Sequence, residues 1–199
     1  MILGITGGTG CGKTTLLKQI EKAGGLILDC DAVYHQLLKT DPALLEAIEA
    51  SFPGVVSGGT LDRKALGSRV FSEPQALARL NAITHSAVKA EVMRQLAKNP
   101  GLAAIDAIAL FEGGLAELCQ VTVAVTAPLE DRVQRLMARD SISGEYARSR
   151  IAAQHGEEWF AQHADYVLRN DGTQEEFNSK CLAFLVELGI MKEKRKGDD

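Results

Sequence analysis

The stretch GGTGCGKTT, Gly7 to Thr15, decides how this 199-residue chain is read. Four of the nine residues are glycine, so the segment contributes little to a core and instead brings backbone close to something else. It follows the apolar run ILGIT at 2–6, and Gly7 to Thr14 satisfies G-x-x-x-x-G-K-[ST]. A chance match in a chain of this length is expected on the order of once in a hundred. Behind the loop, Thr14 to Ala23 carries Leu16, Leu17 and Ile20 at helical spacing, and Gly24-Gly25 stops the pattern. A glycine loop between strand and helix converges backbone N–H groups and a helix N-terminus on phosphate oxygens. Gly7, Gly8, Thr9, Gly10, Cys11, Gly12, Lys13, Thr14 and Thr15 are therefore the expected nucleotide-phosphate site. Lys13 would reach the β and γ phosphates, Thr14 would ligate magnesium, and Thr15 would back the loop. Cys11 is either an oxidisable thiol at a helix N-terminus or a small filler.

Outward from the loop, strand-length apolar runs alternate with helical patterns. The runs are 2–6, 26–28, 102–111, 121–125 and 166–168, which predicts an α/β fold with a five-stranded, mainly parallel sheet in a three-layer α/β/α arrangement. Residues 31–101 break the rhythm with helical patterns at Pro42–Phe52, Asp62–Phe71 and Pro74–Asn99, separated at 53–62 by a turn-rich loop, PGVVSGGTLD. The expected organisation is one domain: a core at 1–30, 102–134 and 164–190, a helical insertion at about 31–101 suited to a second substrate, a lid at about 135–163, and a charged tail at 191–199.

Composition narrows the function classes. A formal charge of −4 and a pI near 5.6 argue against a nucleic-acid face, which needs an excess of lysine and arginine. Cys11, Cys30, Cys119 and Cys181 show no C-x-x-C spacing, so neither a zinc site nor a disulfide framework is expected. Without a signal-peptide pattern or an 18-residue apolar run, the expectation is a cytoplasmic protein with no membrane partner. The segments D-x-x-G and N-K-x-D of a GTPase switch are absent, and Glu112 is the nearest candidate for the strand-closing acid of a motor ATPase.

Two clusters point to phosphoryl transfer. The second strand ends in LDCD, and Asp29 and Asp31, two apart on an extended chain, could both face the ligand crevice. Asp31 could serve as a general base or as the N-cap of the helix that follows. In EDRVQRLMARD, Arg132, Arg135 and Arg139 fall near one helix face, with Arg148 and Arg150 on the next. At least one of them, Arg139 first, is expected to meet a transferred phosphoryl group under a closing lid.

With these blocks in place the sequence resembles the dephospho-CoA kinase family of P-loop small-metabolite kinases. The resemblance rests on TGGTGCGKTT at 6–15, DCD at 29–31, GTLDRKALGSRVF at 59–71, LNAITH at 80–85 and LFE at 110–112. It continues in RLMARD at 135–140, ARSRIAAQ at 147–154 and ADYVLRNDGT at 164–173. It implies transfer of the γ-phosphoryl of ATP, with magnesium, to the ribose 3′-hydroxyl of dephospho-CoA, giving coenzyme A. Asp31 would be the base, Lys13 and Arg139 the charge stabilisers, and Asp29, Arg63, His85 and Arg135 substrate-binding residues. The sequence departs from the family pattern where Ser86 and Ala109 replace prolines, Cys119-Gln120 replaces a common aspartate, and Cys11 and Thr14 replace the loop serines, Thr14 keeping the hydroxyl. Another small-metabolite or nucleoside kinase, or a nucleotide-dependent switch, is the alternative reading.

Overall fold

Residues Ile2–Thr6 form β1, and their alternation sets the layers of the molecule. The computed structural model describes residues 1–70 and 73–192, so most of the charged tail lies outside the described residues. After β1 come α1 (Lys13–Lys22), β2 (Leu26–Asp29), α2 (Cys30–Thr40), α3 (Pro42–Ser51), β3 (Val56–Ser57), β4 (Thr60–Leu61), α4 (Arg63–Val70) and α5 (Pro74–Lys98). The second half holds β5 (Ala103–Asp106), β6 (Val121–Thr126), α6 (Leu129–Asp140), α7 (Gly144–Ala152), α8 (Glu157–His163), β7 (Tyr166–Arg169) and α9 (Gln174–Glu187).

Leu3 and Ile5 of β1 are fully buried against α1 and α9, where they meet Leu16, Ile20, Phe177 and Leu185. The opposite face of the sheet packs on the helical insertion, through Leu28, Ile105 and Leu110 against Val33, Val88 and Val92. Gly4 in the middle of β1 admits that layer. A Cβ there would lie 2.8 Å from both Leu110 Cδ2 and Cys119 Sγ. With both faces covered, the strands read as near-continuous apolar runs. The sheet order is β2-β5-β1-β6-β7, every pairing parallel, which bears out the expected architecture.

The insertion departs from expectation in one place. Residues 56–61, read as part of a turn-rich loop, form the β3–β4 hairpin. Its turn is Gly58-Gly59, with φ of 56° and 74°, the left-handed pair that a two-residue primed turn requires. The Glu49 carboxylate accepts the amides of Gly54, Val55 and Val56 and so fixes the approach to the hairpin. The helices at Pro42, Asp62 and Pro74 form as expected; Phe71, the expected end of one, lies outside the described residues. Helix α5 runs unbroken through Ser86, where the family pattern has proline.

The run LAAIDAIALF is shorter as a strand than its composition predicts. β5 stops at Asp106, and from Ala107 the chain turns, with Gly113 N bonding Ala109 O and Leu115 N bonding Leu110 O. Of the later apolar residues Ala107 and Leu110 stay buried, and Leu110 does so because it plugs the space above Gly4. Cys119-Gln120, in place of the family's aspartate, anchor the start of β1. Cys119 packs over Gly4, and Gln120 Oε1 accepts from the Ile2 amide. α6 and α7 form a helical hairpin with its own small core of Val133, Leu136, Ala147 and Ile151.

Candidate active site

The parallel strands end at one edge, and the Gly7–Thr14 loop leaves the central strand there. Gly7, at φ 128°, passes so close to β6 that a Cβ would sit 2.1 Å from the Val125 carbonyl oxygen. Gly12 starts α1 at φ 97°, and no side chain caps that helix. The loop carbonyls are occupied instead. Arg132 Nε donates to Thr9 O (2.9 Å), Arg135 Nη1 to Gly10 O (3.3 Å) and Asn170 Nδ2 to Cys11 O (2.9 Å). With those carbonyls engaged, Gly8 to Thr14 wall a cavity of about 450 Å³ with an uncapped helix N-terminus, a built anion receptor.

Gly7 and Thr15 stand just outside that wall, and the Thr15 hydroxyl accepts from Gln174 on α9 (2.9 Å). Cys11 is 3% exposed and burial pushes its thiol up, so it is a filler and not a reactive thiol. Lys13 Nζ reaches back to Gly7 O at 3.1 Å and lies 3.8 Å from Asp106 Oδ1.

Asp106 is the functional candidate that the sequence reading missed. It closes β5 in register with Asp29 of β2 and Ile5 of β1, on the cavity wall. Its Oδ1 is buried with no hydrogen-bond partner. Burial, opposed by Lys13 and reinforced by Asp29 and Asp31, raises its carboxyl from 3.8 to about 6. The signal was present: Asp106 is the one charged residue in LAAIDAIALF, but the run was read as a strand through Phe111. Glu112, the acid singled out instead, is paired with His155 at 2.9 Å and lies off the cavity.

The raised carboxyl makes a signed prediction. The folded protein holds the Asp106 proton more tightly than the unfolded chain does. That stabilisation is complete below about 3.8 and is lost as the pH rises through about 6. Asp106→Asn is therefore expected to be more stable than the parent near neutral pH, by on the order of 2 kcal/mol, and equal to it in acid. Thermal unfolding of both proteins across the acid-to-neutral range measures this; parallel curves would contradict it.

Asp29 and Asp31 do not share an extended strand end, because α2 begins at Cys30. Asp29 is the N-cap, its Oδ1 accepting from Ala32 N at 3.0 Å. Asp31 lies in the first helical turn, so the capping alternative for Asp31 is overturned and its carboxylate faces open space. Asp31 lines the 450 Å³ cavity and also an adjoining cleft of 190 Å³, which holds Tyr34, Thr84, His85 and Val88. His85 thus joins Asp31 in one cleft. Arg63 does not: it sits on the far side of Tyr34 in a separate hollow, with Nη2 3.3 Å from His35 Nδ1.

The arginines divide by height along α6. Arg132 is buried beneath the loop; Arg135 lies on the loop and lines the 450 Å³ cavity, away from the His85 cleft. Arg139 and Arg150 line the cavity mouth, yet both donate to Asp140, at 2.7 and 2.6 Å, and hold its carboxyl down to about 2. Arg148 pairs with Glu130 at 2.6 Å outside the cavity.

Comparison with known proteins fits this geometry. The sequence model of the dephospho-CoA kinase family matches residues 1–176. A dephospho-CoA kinase of Deinococcus radiodurans is 38% identical over 192 residues, covering 94% of this chain and 92% of the relative. A crystal structure from Thermus thermophilus superposes with a TM-score of 0.79 at 37% identity, covering 94% of this chain and 97% of that one. The dephospho-CoA kinase of Campylobacter jejuni superposes with a TM-score of 0.67 at 26% identity, covering 96% and 98%. A phosphate-loop fold, an acid at the junction of two clefts and near-full-length similarity agree, and this chain belongs to the dephospho-CoA kinase family.

Proposed function

We propose that the chain transfers the γ-phosphoryl group of ATP to the ribose 3′-hydroxyl of dephospho-CoA, giving coenzyme A and ADP. The observation that carries this reading is the position of Asp31 in the wall of both cavities. A phosphoryl group held by the loop and a sugar hydroxyl entering from the His85 cleft meet at that carboxylate. Asp31 accepts the hydroxyl proton as the oxygen attacks. Lys13 and the loop amides hold the β and γ phosphates, and the charge that spreads over the transferred group falls to Lys13, Arg139 and Arg150. The two arginines exchange Asp140 for phosphate as the lid at about 135–163 closes over the nucleotide and excludes water.

The donor set suits magnesium. Asp106 Oδ1 is buried without a hydrogen-bond partner beside a loop that ends in the Thr14 hydroxyl, and hard oxygen ligands are what this ion takes. Thr14 and Asp106 would hold it, and when bound it would neutralise charge on the β and γ phosphates. The acceptor is held by the insertion at about 31–101, with its sugar at Asp31 and His85. Arg63, beyond Tyr34, offers positive charge farther along the acceptor. Four free thiols fit a reducing, cytoplasmic setting, and no helix among the described residues is long and apolar enough to cross a membrane.

A coupled assay of ADP release tests the proposal. Release is expected with dephospho-CoA and not with nucleosides, shikimate or water alone. Equal release without an acceptor would make the protein a nucleotide hydrolase, and release driven by a nucleoside would make it a different metabolite kinase.

A further inference from the structure

Arg132 is 8% exposed, and a buried arginine ordinarily has a carboxylate beside it. This one does not. Among the described residues no acid lies within ion-pair distance of Arg132, and Asp131, its neighbour in sequence, faces Arg135 at 4.0 Å. Its Nε donates to Thr9 O at 2.9 Å, and its Nη2 is buried with no partner at all.

Arg132 occupies space that two loop glycines leave open, with its guanidinium at Gly8 and its main chain at Gly10. A Cβ on Gly8 would lie 2.2 Å from Arg132 Nη2, and a Cβ on Gly10 would lie 2.9 Å from the Arg132 carbonyl oxygen. The glycines therefore admit α6 from below as well as a ligand from above. On the other side of Thr9, its amide donates to Gln154 Oε1 at 2.8 Å. The two peptides flanking Thr9 are thus held by Arg132 from α6 and by Gln154 just beyond α7.

We infer that Arg132 is a positioning residue for the phosphate loop. It turns the Thr9 carbonyl away from the ligand, and its buried, unneutralised cation sits directly beneath the amides that meet nucleotide phosphates. In the free protein this cation is desolvated with a carbonyl hydrogen bond but no counter-charge; a bound polyphosphate supplies the missing negative charge across one layer of backbone. Arg132 therefore favours the liganded state over the free one, and it does so from outside the cavity wall. The inference rests on the reading of the loop as a nucleotide-phosphate site.

The test uses the full chain and magnesium-free ADP as the probe, with Arg132→Met and Arg132→Lys beside the parent. Binding is followed by calorimetry and the ligand-free melting temperature by scanning. The expected result is that Arg132→Met melts no lower than the parent, because it sheds a buried unpaired charge, while its Kd for ADP rises tenfold or more. Arg132→Lys, which keeps the charge but not the fork, should fall between the two in affinity. An unchanged Kd in Arg132→Met overturns the inference. Equal losses of affinity in the two variants overturn it too, as does a failure of both to fold, since the side chain would then serve only packing. If the parent itself does not bind ADP, the loop reading fails along with the inference.

Discussion

Lys13→Ala should lower turnover by about three orders of magnitude while the protein keeps its fold. The ammonium group lies between the Gly7 carbonyl, at 3.1 Å, and Asp106 Oδ1, at 3.8 Å, so it serves the cavity and not the hydrophobic core. Its loss acts twice. The β and γ phosphates lose a cation aimed at charge that develops in the transition state. Asp106, already raised to about 6 by burial, loses the Lys13 ammonium that favours its ionised form and takes up a proton closer to neutral pH. A carboxyl group that is neutral is a poor magnesium ligand, so the variant should also need more magnesium for its residual activity. Steady-state turnover, far-UV circular dichroism and a magnesium titration check this. Near-normal turnover, or a collapsed spectrum, would contradict it.

Asp31→Asn should lower turnover by two or more orders of magnitude, with ADP affinity and stability close to those of the parent. The structure allows the stability part to be stated because Asp29, not Asp31, caps α2. Asparagine in the first turn of a helix leaves that cap intact. Asp29→Ala should do the reverse, removing about 1 kcal/mol of stability with a smaller effect on chemistry. Urea unfolding and turnover measured on both variants separate the two aspartates. A normal rate in Asp31→Asn would mean that the acceptor hydroxyl needs no base at that position.

The sheet and the loop were legible in the sequence because both rest on local chemistry. A strand, a glycine turn with one lysine and a helix with a buried stripe are each written in consecutive residues, and β1, the Gly7–Thr14 loop and α1 form as read. The β3–β4 hairpin was also written locally, as Gly58-Gly59 between short β-prone segments, but two-residue strands carry too little periodicity to be recognised. Asp106 was hidden for the opposite reason. An apolar run longer than its strand masked the acid at the strand's end, since Leu110 is buried by packing over Gly4 and not by pairing.

The arginines show where periodicity stops being informative. Spacing puts Arg132, Arg135 and Arg139 near one face of a helix, and it does so correctly. It cannot tell that the helix descends from the cavity mouth to the underside of the loop. Three similar residues therefore end in three settings, one on Asp140, one on the Gly10 carbonyl and one buried beneath Gly8. Asp31 and His85 come together through the packing of α2 on α5, a tertiary contact that neither segment encodes alone.

The most direct measurement is a crystal structure of the protein with ADP, magnesium and dephospho-CoA. The account predicts the β-phosphate among the amides of Gly8–Thr14, with the acceptor's ribose 3′-hydroxyl within hydrogen-bonding distance of the Asp31 carboxylate. A nucleotide bound away from that loop, or a 3′-hydroxyl turned away from Asp31, would contradict it.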